Sequence, residues 1–132
     1  MEHGVLETRT AKLWQDEHGI VHTVINENSE LTLEDAIENL EAIKNNAIKI
    51  PAVVLSDIRN ISSVTKEHRD YFSSEKASKV IAAGALLISS PLSKVLGNLF
   101  LKINKPPYKG KLFTSKTEAM EWLKEIISTT AK

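Results

Sequence analysis

Apolar residues in this chain fall into short runs that alternate with longer stretches of helical periodicity. The first two runs are rich in Val, Ile, Thr, Leu and Trp and flank the turn Asp16-Glu17-His18-Gly19, a pattern that predicts a β-hairpin. A third run is apolar at nearly every position, which is typical of a central strand covered on both faces. The predicted strands are residues 5–14, 19–26, 50–55, 82–89 and 111–114.

Four segments carry the spacing of amphipathic helices. The first begins at Thr32, which forms a capping-box pattern with Asp35. Its apolar stripe is predicted to face the core and consists of Leu33, Ala36, Ile37, Leu40, Ile43 and Ala47. Its acidic residues Glu34, Asp35, Glu38 and Glu41 are predicted to face solvent.

The other three helices follow separate capping signals. The second, near residues 66–78, follows Thr65 and is predicted to be only half buried. The third begins at Ser90-Pro91 and ends at Pro106-Pro107. Its predicted stripe consists of Leu92, Val95, Leu96, Leu99, Phe100 and Ile103. The fourth follows the capping box Ser115–Glu118, and its predicted core residues are Ala119, Trp122, Leu123 and Ile126.

The resulting order, ββαβαβαβα, predicts the α/β (α+β) class. Strands that are joined through helices run parallel, so only the hairpin is expected to supply an antiparallel pair. We expect a mixed sheet of about five strands with four helices packed mainly on one face. At 132 residues the chain is expected to form a single domain over residues 1–132.

Composition removes several function classes from the expectation. The chain has no cysteine, so it offers no disulfide framework, thiol nucleophile or cysteine zinc site. No apolar run reaches the length of a membrane span, and the first residues lack the basic and apolar parts of a signal peptide, so a cytoplasmic, non-transmembrane protein is expected. Its five glycines are too scattered for a phosphate loop. His18 and His22 are predicted to diverge, so no metal site is expected. No cofactor is expected either.

Charge is distributed unevenly along the chain although the net charge is zero. Eight lysines and no acidic residue lie between Lys76 and Lys116. This segment suits either an ordinary solvated surface or an anionic ligand or lipid. Nucleic acid is not expected as a partner, because the lysines lack interleaved aromatic residues and any known module signature.

Three segments resemble those of STAS domains, and more closely those of the SpoIIAA-like group related to bacterial anti-sigma-factor antagonists. They are Val53-Val54-Leu55-Ser56-Asp57, Ala85-Leu86-Leu87-Ile88-Ser89-Ser90, and the ending from Lys111 to Leu123 with its Phe113, Ala119 and Trp122-Leu123. The resemblance implies a STAS-like fold and a non-catalytic regulatory domain that binds a protein partner. In STAS antagonists a serine after the central strand is phosphorylated by a partner kinase.

The corresponding loop here contains Ser62 and Ser63, followed by Thr65 as the expected helix cap. These three residues form the candidate regulatory loop, although the Asp and Gly that flank the serines in the usual family pattern are absent. The candidate interaction surface consists of Asp57, Arg59, Asn60, His68, Lys94, Leu101 and Lys105. Leu101 is predicted to lie exposed among lysines of the third helix.

Two other functions remain open at this point. STAS folds resemble the lipid-binding Sec14-type fold, so the domain could bind a small molecule, a lipid or a nucleotide. A small esterase could use Ser62 or Ser63 with His68 and Asp57 or Asp70, but no Gly-x-Ser-x-Gly pattern supports one. A homodimer through the sheet edge or the third helix is a further expectation.

Overall fold

The computed structural model describes residues 4–130. The strands are β1 Leu6–Glu7, β2 Ala11–Gln15, β3 Ile20–Ile25, β4 Glu30–Leu31, β5 Ala52–Asp57, β6 Ser63–Val64, β7 Ile81–Leu87 and β8 Lys109–Phe113. The helices are α1 Leu33–Asn46, α2 Lys66–Phe72, α3 Glu75–Ser78, α4 Pro91–Leu99 and α5 Lys116–Thr130, with a π-helical segment at Phe100–Asn104.

Six strands form one mixed sheet in the order β1-β2-β3-β5-β7-β8. The first three pair antiparallel, whereas β3, β5, β7 and β8 run parallel because helices connect them. The remaining strands, β4 and β6, form a separate parallel pair. The predicted mixed α/β architecture is therefore confirmed, with slightly more strands and helices than expected.

Both faces of the sheet are covered. One face packs against α1, α2 and α4 in an apolar cluster that includes Val21, Ile43 and Val54. The other face packs against α5 through Ala119 and Leu123, both of which the sequence predicted to be buried. Since residues alternate between faces along a strand, Val53 and Leu55 lie on the α5 face while Val54 lies on the other.

Two boundary predictions are wrong because of local hydrogen bonding, and one short strand pair is missing from the prediction. The predicted strand 5–14 folds back on itself at Thr8, whose N–H donates to the Ala11 carbonyl at 2.9 Å, so it becomes two antiparallel strands. The predicted second helix is interrupted after Phe72, since the Ser74 side chain caps a new helix by accepting from the Ala77 N–H. The short β4–β6 pair was not predicted, because two-residue strands carry no periodicity.

Helix α1 has the predicted cap but a different buried face. The Thr32 N–H donates to the Asp35 carboxylate at 2.9 Å, which confirms the capping pattern. The exposed position predicted for Asp35 is wrong, because its side chain is buried and receives two hydrogen bonds from Arg9. These bonds from Arg9 are the main cause of the lowered pKa of Asp35. Leu33 and Ile37, predicted to be buried, are partly exposed instead.

Helix α4 is also rotated relative to its predicted stripe. Its buried residues are Ser93 and Gly97, whereas Leu92 and Val95 are exposed. The small residues face the sheet because there is no room for larger ones: a Cβ on Gly97 would lie 2.8 Å from Leu112 Cδ2. One residue position in an α-helix corresponds to a rotation of about 100°. This rotation removes Leu92 and Val95 from the core, whereas Leu96 still packs against the core and Phe100 is partly buried.

The π-helical segment continues α4 and reverses two further predictions. The Lys105 N–H donates to the Phe100 carbonyl at 3.1 Å, the spacing of five residues that defines a π turn. Leu101 is only partly exposed and faces inward, so its predicted exposure among lysines is wrong. Ile103, predicted to be buried, is 71% exposed.

Candidate ligand-binding cavity

A cavity of about 120 Å³ lies between the sheet and the helices that cover its α1 face. The sheet contributes Thr23, Ile25, Val54, Ser56, Gly84 and Leu86 to its floor. The helical side contributes Asn39, Ile43, His68, Phe72, Leu96 and Phe100 to its roof. Most of these side chains are apolar, so the cavity is an apolar space with a few polar groups on its wall.

Two glycines, one on β7 and one on β8, shape this cavity. Gly84 is the cavity-facing residue at the middle of β7, and a Cβ there would meet only Tyr108 Cε1, at 3.6 Å. On the neighbouring strand, Gly110 lets Leu101 approach, since a Cβ there would lie 2.6 Å from Leu101 Cδ2. An irregularity between β5 and β7 keeps Ile81 on the cavity face with Gly84.

Two hydroxyl groups lie side by side on the cavity floor. Thr23 and Ser56 are register partners on the parallel strands β3 and β5, and the Thr23 hydroxyl donates to Ser56 Oγ at 3.1 Å. Thr23 is 6% exposed. Because residues alternate between faces along a strand, Thr23 shares a face with Val21 and Ile25, but the sequence gives no sign that a cavity faces it.

Other polar groups of the wall have partners in the protein. The Asn39 amide nitrogen donates to Thr10 Oγ1 at 3.0 Å, and its oxygen accepts from the Thr8 hydroxyl at 2.6 Å. The Tyr108 hydroxyl donates to the Phe72 carbonyl at 2.8 Å, and burial raises the pKa of this phenol. These hydrogen bonds stabilise the wall, so the Asn39 amide and the Tyr108 hydroxyl already have partners within the protein.

His68 is the exception among the polar groups of the wall. Its ring lies beside that of Phe72, with 5.1 Å between the ring centroids. Its Nε2 atom is buried without a hydrogen-bond partner in residues 4–130. Burial lowers the pKa of His68 to about 4, with a smaller contribution from the charge of Arg69, so the imidazole is neutral at pH 7.

Arg69 brings a positive charge to the wall and ties two elements together. Its Nε donates to Asn104 Oδ1 at 3.1 Å and its Nη1 donates to the Val64 carbonyl at 3.1 Å. Asn104 also donates to the Asp70 carboxylate. The guanidinium thereby fastens α2 to the π-helical segment above the cavity.

The predicted regulatory loop lies outside the cavity. Ser62 and Ser63 are exposed, and Ser63 belongs to β6, where it pairs with Glu30. Thr65 caps α2 as expected, because its side chain accepts from the His68 N–H at 3.1 Å. The loop thus presents two exposed hydroxyl groups at the surface, and only β6 and the cap residue separate it from α2, the helix that carries His68.

The other predicted surface residues are divided between different regions. Arg59 donates to both carboxylate oxygens of Asp57, at 2.9 and 2.7 Å. Burial alone would raise the pKa of Asp57, but the bonds from Arg59 outweigh it and the pKa is lowered. Asn60, Lys94 and Lys105 are exposed, and Lys105 ends the π-helical segment with a φ of 50°. His68 and Leu101, by contrast, line the cavity.

The serine, histidine and aspartate residues do not form a hydrolase triad in this arrangement. Asp57 is paired with Arg59, and Asp70 is paired with Lys66 at 2.8 Å. Over the described part of the chain, no hydrogen bond joins a serine hydroxyl to His68 Nε2.

His22 and His18 lie in different surroundings. His22 is buried, stacks on Trp14 with 4.9 Å between ring centroids, and lies 2.8 Å from Asp16 Oδ2. His18 is exposed in the turn. From residue 4 to residue 130, no group of three or more His, Cys, Asp or Glu side chains could hold a metal ion.

Comparison with known proteins places this fold among its relatives. A family model described as a domain of unknown function (DUF7793) matches residues 13–127. The chain belongs to the DUF7793 family. No curated protein matches this DUF7793 domain.

A solved structure gives the fold its name. The crystal structure of an uncharacterized protein of the DUF3478 family with a SpoIIAA-like fold, from Shewanella loihica PV-4, is similar to this DUF7793 domain with a TM-score of 0.57 and 19% sequence identity. The similarity covers 91% of this chain and 90% of that chain. The predicted SpoIIAA-like fold is therefore confirmed. None of the described helices is long and apolar enough to cross a membrane.

Proposed function

We propose that this STAS-like domain binds a small, predominantly apolar molecule in the cavity and does not catalyse a reaction. The observation that carries the proposal is an apolar cavity of about 120 Å³ whose wall includes a neutral histidine. Protein interiors are close-packed, with few voids larger than a water molecule, so a cavity of this size in a chain of 132 residues needs an explanation.

The size of the cavity limits what it holds without rearrangement. An engineered apolar cavity of about 150 Å³ stays dry and binds benzene. A cavity of about 120 Å³ suits a ligand of similar size, such as a small ring or a short acyl segment. A complete lipid would have to extend through an opening between the covering helices.

Blocking the cavity tests this function. Gly84→Leu should fill the space, because within residues 4–130 only Tyr108 Cε1 lies within 4 Å of the new Cβ, at 3.6 Å. We expect toluene and phenol, titrated into ¹⁵N-labelled wild type, to shift the amide signals of cavity residues, and we expect Gly84→Leu to abolish these shifts.

The matched control is Gly4→Leu, since no atom of the described residues beyond its chain neighbours lies within 4 Å of a Cβ at Gly4. This variant should bind like wild type, and circular dichroism should show that both variants are folded. Equal shifts in wild type and Gly84→Leu would reject the cavity as the binding site. Turnover of a generic ester that is lost in Ser62→Ala or Ser63→Ala would overturn the non-catalytic assignment.

A regulatory domain that binds a protein partner is the second candidate function. It is supported by the exposed hydroxyls of Ser62 and Ser63 and by exposed apolar side chains on the outer side of α4, Leu92 and Val95. Phosphorylation of the loop would add negative charge to the exposed surface around Ser62 and Ser63 and change the affinity of the partner. A second copy of the chain could occupy the same surface and give a homodimer, and the lysines between Lys76 and Lys116 could attract an anionic ligand or lipid.

A cytoplasmic location and the absence of nucleic acid as a partner stay predictions.

Charge substitution tests the regulatory candidate. After a partner has been identified by pull-down, Ser62→Asp and Ser63→Asp should change its affinity in calorimetry. Because both residues are exposed, each variant should lower stability by no more than about 0.5 kcal/mol. Ser128→Asp is the control, since Ser128 is exposed on α5, away from the loop. Equal affinity of wild type and both loop variants would reject the switch.

A further inference from the structure

We infer that the molecule bound in the cavity is uncharged and carries a hydroxyl group on an apolar body, as an alcohol or a phenol does. This inference rests on the proposed function and names the chemical class of its ligand. It follows from the hydrogen-bonding capacity that the cavity wall leaves unused.

The Thr23–Ser56 pair holds the first unused capacity. Two hydroxyl groups carry two protons, and their mutual hydrogen bond uses one of them. Neither hydroxyl has another hydrogen-bond partner among the described residues. One O–H group on the cavity floor is therefore available to a ligand, at a position where Thr23 is 6% exposed.

His68 holds the second unused capacity. A neutral imidazole donates at one ring nitrogen and accepts at the other, so Nε2 takes either role according to the tautomer. This atom is buried and has no partner within residues 4–130. A hydroxyl is the smallest ligand group that both donates and accepts, so it suits either tautomer and either orientation of the Thr23–Ser56 pair.

An anionic ligand fits the wall poorly. Burial of an ion in an apolar space is costly unless the ion is paired and hydrogen-bonded. The cationic group on the wall, Arg69, already donates to Asn104 and to the Val64 carbonyl. His68 carries no charge at pH 7.

A pure hydrocarbon fits less well than an alcohol. It would cover Thr23, Ser56 and His68 without satisfying their free hydrogen-bonding groups, and a buried group left without a partner is costly. A site with such groups discriminates against an analogue that lacks the matching hydroxyl. The same apolar residues that accommodate the hydrocarbon would also accommodate the body of the alcohol.

The experiment compares phenol, toluene and benzoate in titrations of ¹⁵N-labelled protein at pH 7. Phenol and toluene have nearly the same shape and differ in a hydroxyl, whereas benzoate carries a charge. We expect wild type to bind phenol at least tenfold more tightly than toluene, and to bind benzoate more weakly than phenol. Thr23→Val and Ser56→Ala should each reduce the preference for phenol over toluene while retaining the binding of toluene.

The matched control is Thr114→Val, because Thr114 is exposed and lies outside the cavity. It should keep the wild-type preference. Toluene binding as tightly as phenol, benzoate binding more tightly than phenol, or an unchanged preference in both Thr23→Val and Ser56→Ala would overturn the inference while leaving the proposed function intact. If none of the three probes shifts the signals of cavity residues in wild type, the proposed function itself fails.

Discussion

His68 combines a structural and a chemical property in one side chain. The backbone N–H of His68 donates to the side chain of the cap residue Thr65, so the position of His68 at the start of α2 is fixed by the cap. Its ring lies on the cavity wall, beside Phe72, where most of the ring is out of contact with water. Burial therefore keeps the imidazole neutral, and protonation of His68 favours the unfolded state over the folded state.

This competition predicts a dependence of stability on pH. The pKa of His68 is about 4 in the folded protein and about 6.5 in an unfolded chain, so the unfolded state binds more protons between these values. The free energy of unfolding should fall as the pH is lowered from 6.5 to 4 and should change little above 6.5. The contribution of His68 is about 3 kcal/mol at most.

Urea unfolding of wild type and His68→Phe at several pH values measures this contribution. Phenylalanine cannot be protonated, so the variant should lose most of the slope between pH 4 and pH 6.5. The lowered pKa of Asp35 places its own loss of stability at more acidic pH. Identical slopes in the two proteins would contradict a neutral, buried His68.

At the scale of elements, α1 and α4 show the same departure from their hydrophobic patterns. Each helix forms where periodicity and caps predict it, but its buried face is displaced from the predicted stripe. In α1 the buried polar residues Asp35 and Asn39 bind the segment before β2, through Arg9 and Thr8. In α4 the buried face contains Gly97, which allows close approach to the sheet. Specific partners in other elements therefore decide the rotation of each helix.

The rotation of α4 and its π-helical extension predicts unequal effects of two similar substitutions. Leu101 packs against Gly110 and lines the cavity, so Leu101→Ala should destabilise the protein by about 1–3 kcal/mol. Ile103 is 71% exposed, so Ile103→Ala should change stability by no more than about 0.5 kcal/mol.

Chemical denaturation of the two variants provides the comparison. Each variant serves as the control of the other, because both remove a large aliphatic side chain from the same segment. A larger effect of Ile103→Ala would restore the face that the hydrophobic pattern predicts and would contradict the observed rotation.

At the scale of the whole molecule, the sheet separates two apolar regions with different roles. The face that packs on α5 is filled by small and branched residues, among them Ala83, Ala85 and Leu87. The opposite face carries the cavity, where Gly84 alternates with these alanines along the same strand. One strand therefore supplies both a packed face and a face with room for a ligand.

Because both regions share the sheet, they should unfold together. Leu123 is fully buried on the α5 face, so Leu123→Ala should destabilise the protein by about 2–4 kcal/mol. The variant should still unfold in one transition, with coincident curves from circular dichroism and from tryptophan fluorescence. Two separate transitions would show that the α5 face and the cavity face are independent units. Binding of phenol to the folded variant should match wild type, since Leu123 does not line the cavity.

The sequence predicts much of the fold and little of the cavity. Runs of apolar residues located β3, β5, β7 and β8, and capping residues such as Thr32 and Ser90 located the helix starts, because these signals lie within a few neighbouring residues. The sequence does not mark Thr23, Ser56 or Gly84 as site residues. They lie in different strands, and nothing local distinguishes a hydroxyl or a glycine beside a cavity from one beside a packed helix.

By itself, then, the sequence determined the order of the main elements and the parallel strands joined by helices, since periodicity, caps and turns act over short distances along the chain. The SpoIIAA-like fold was implied by the resemblance of three segments to that group. Only the tertiary structure decided which face of α1 and α4 is buried, that Leu101 faces inward, and that His68 meets Thr23 and Ser56 around one cavity. These features depend on contacts between residues that are distant in sequence. Such contacts depend on how closely the helices approach the sheet. Gly97, Gly84 and Gly110 affect that approach because they have no Cβ atom.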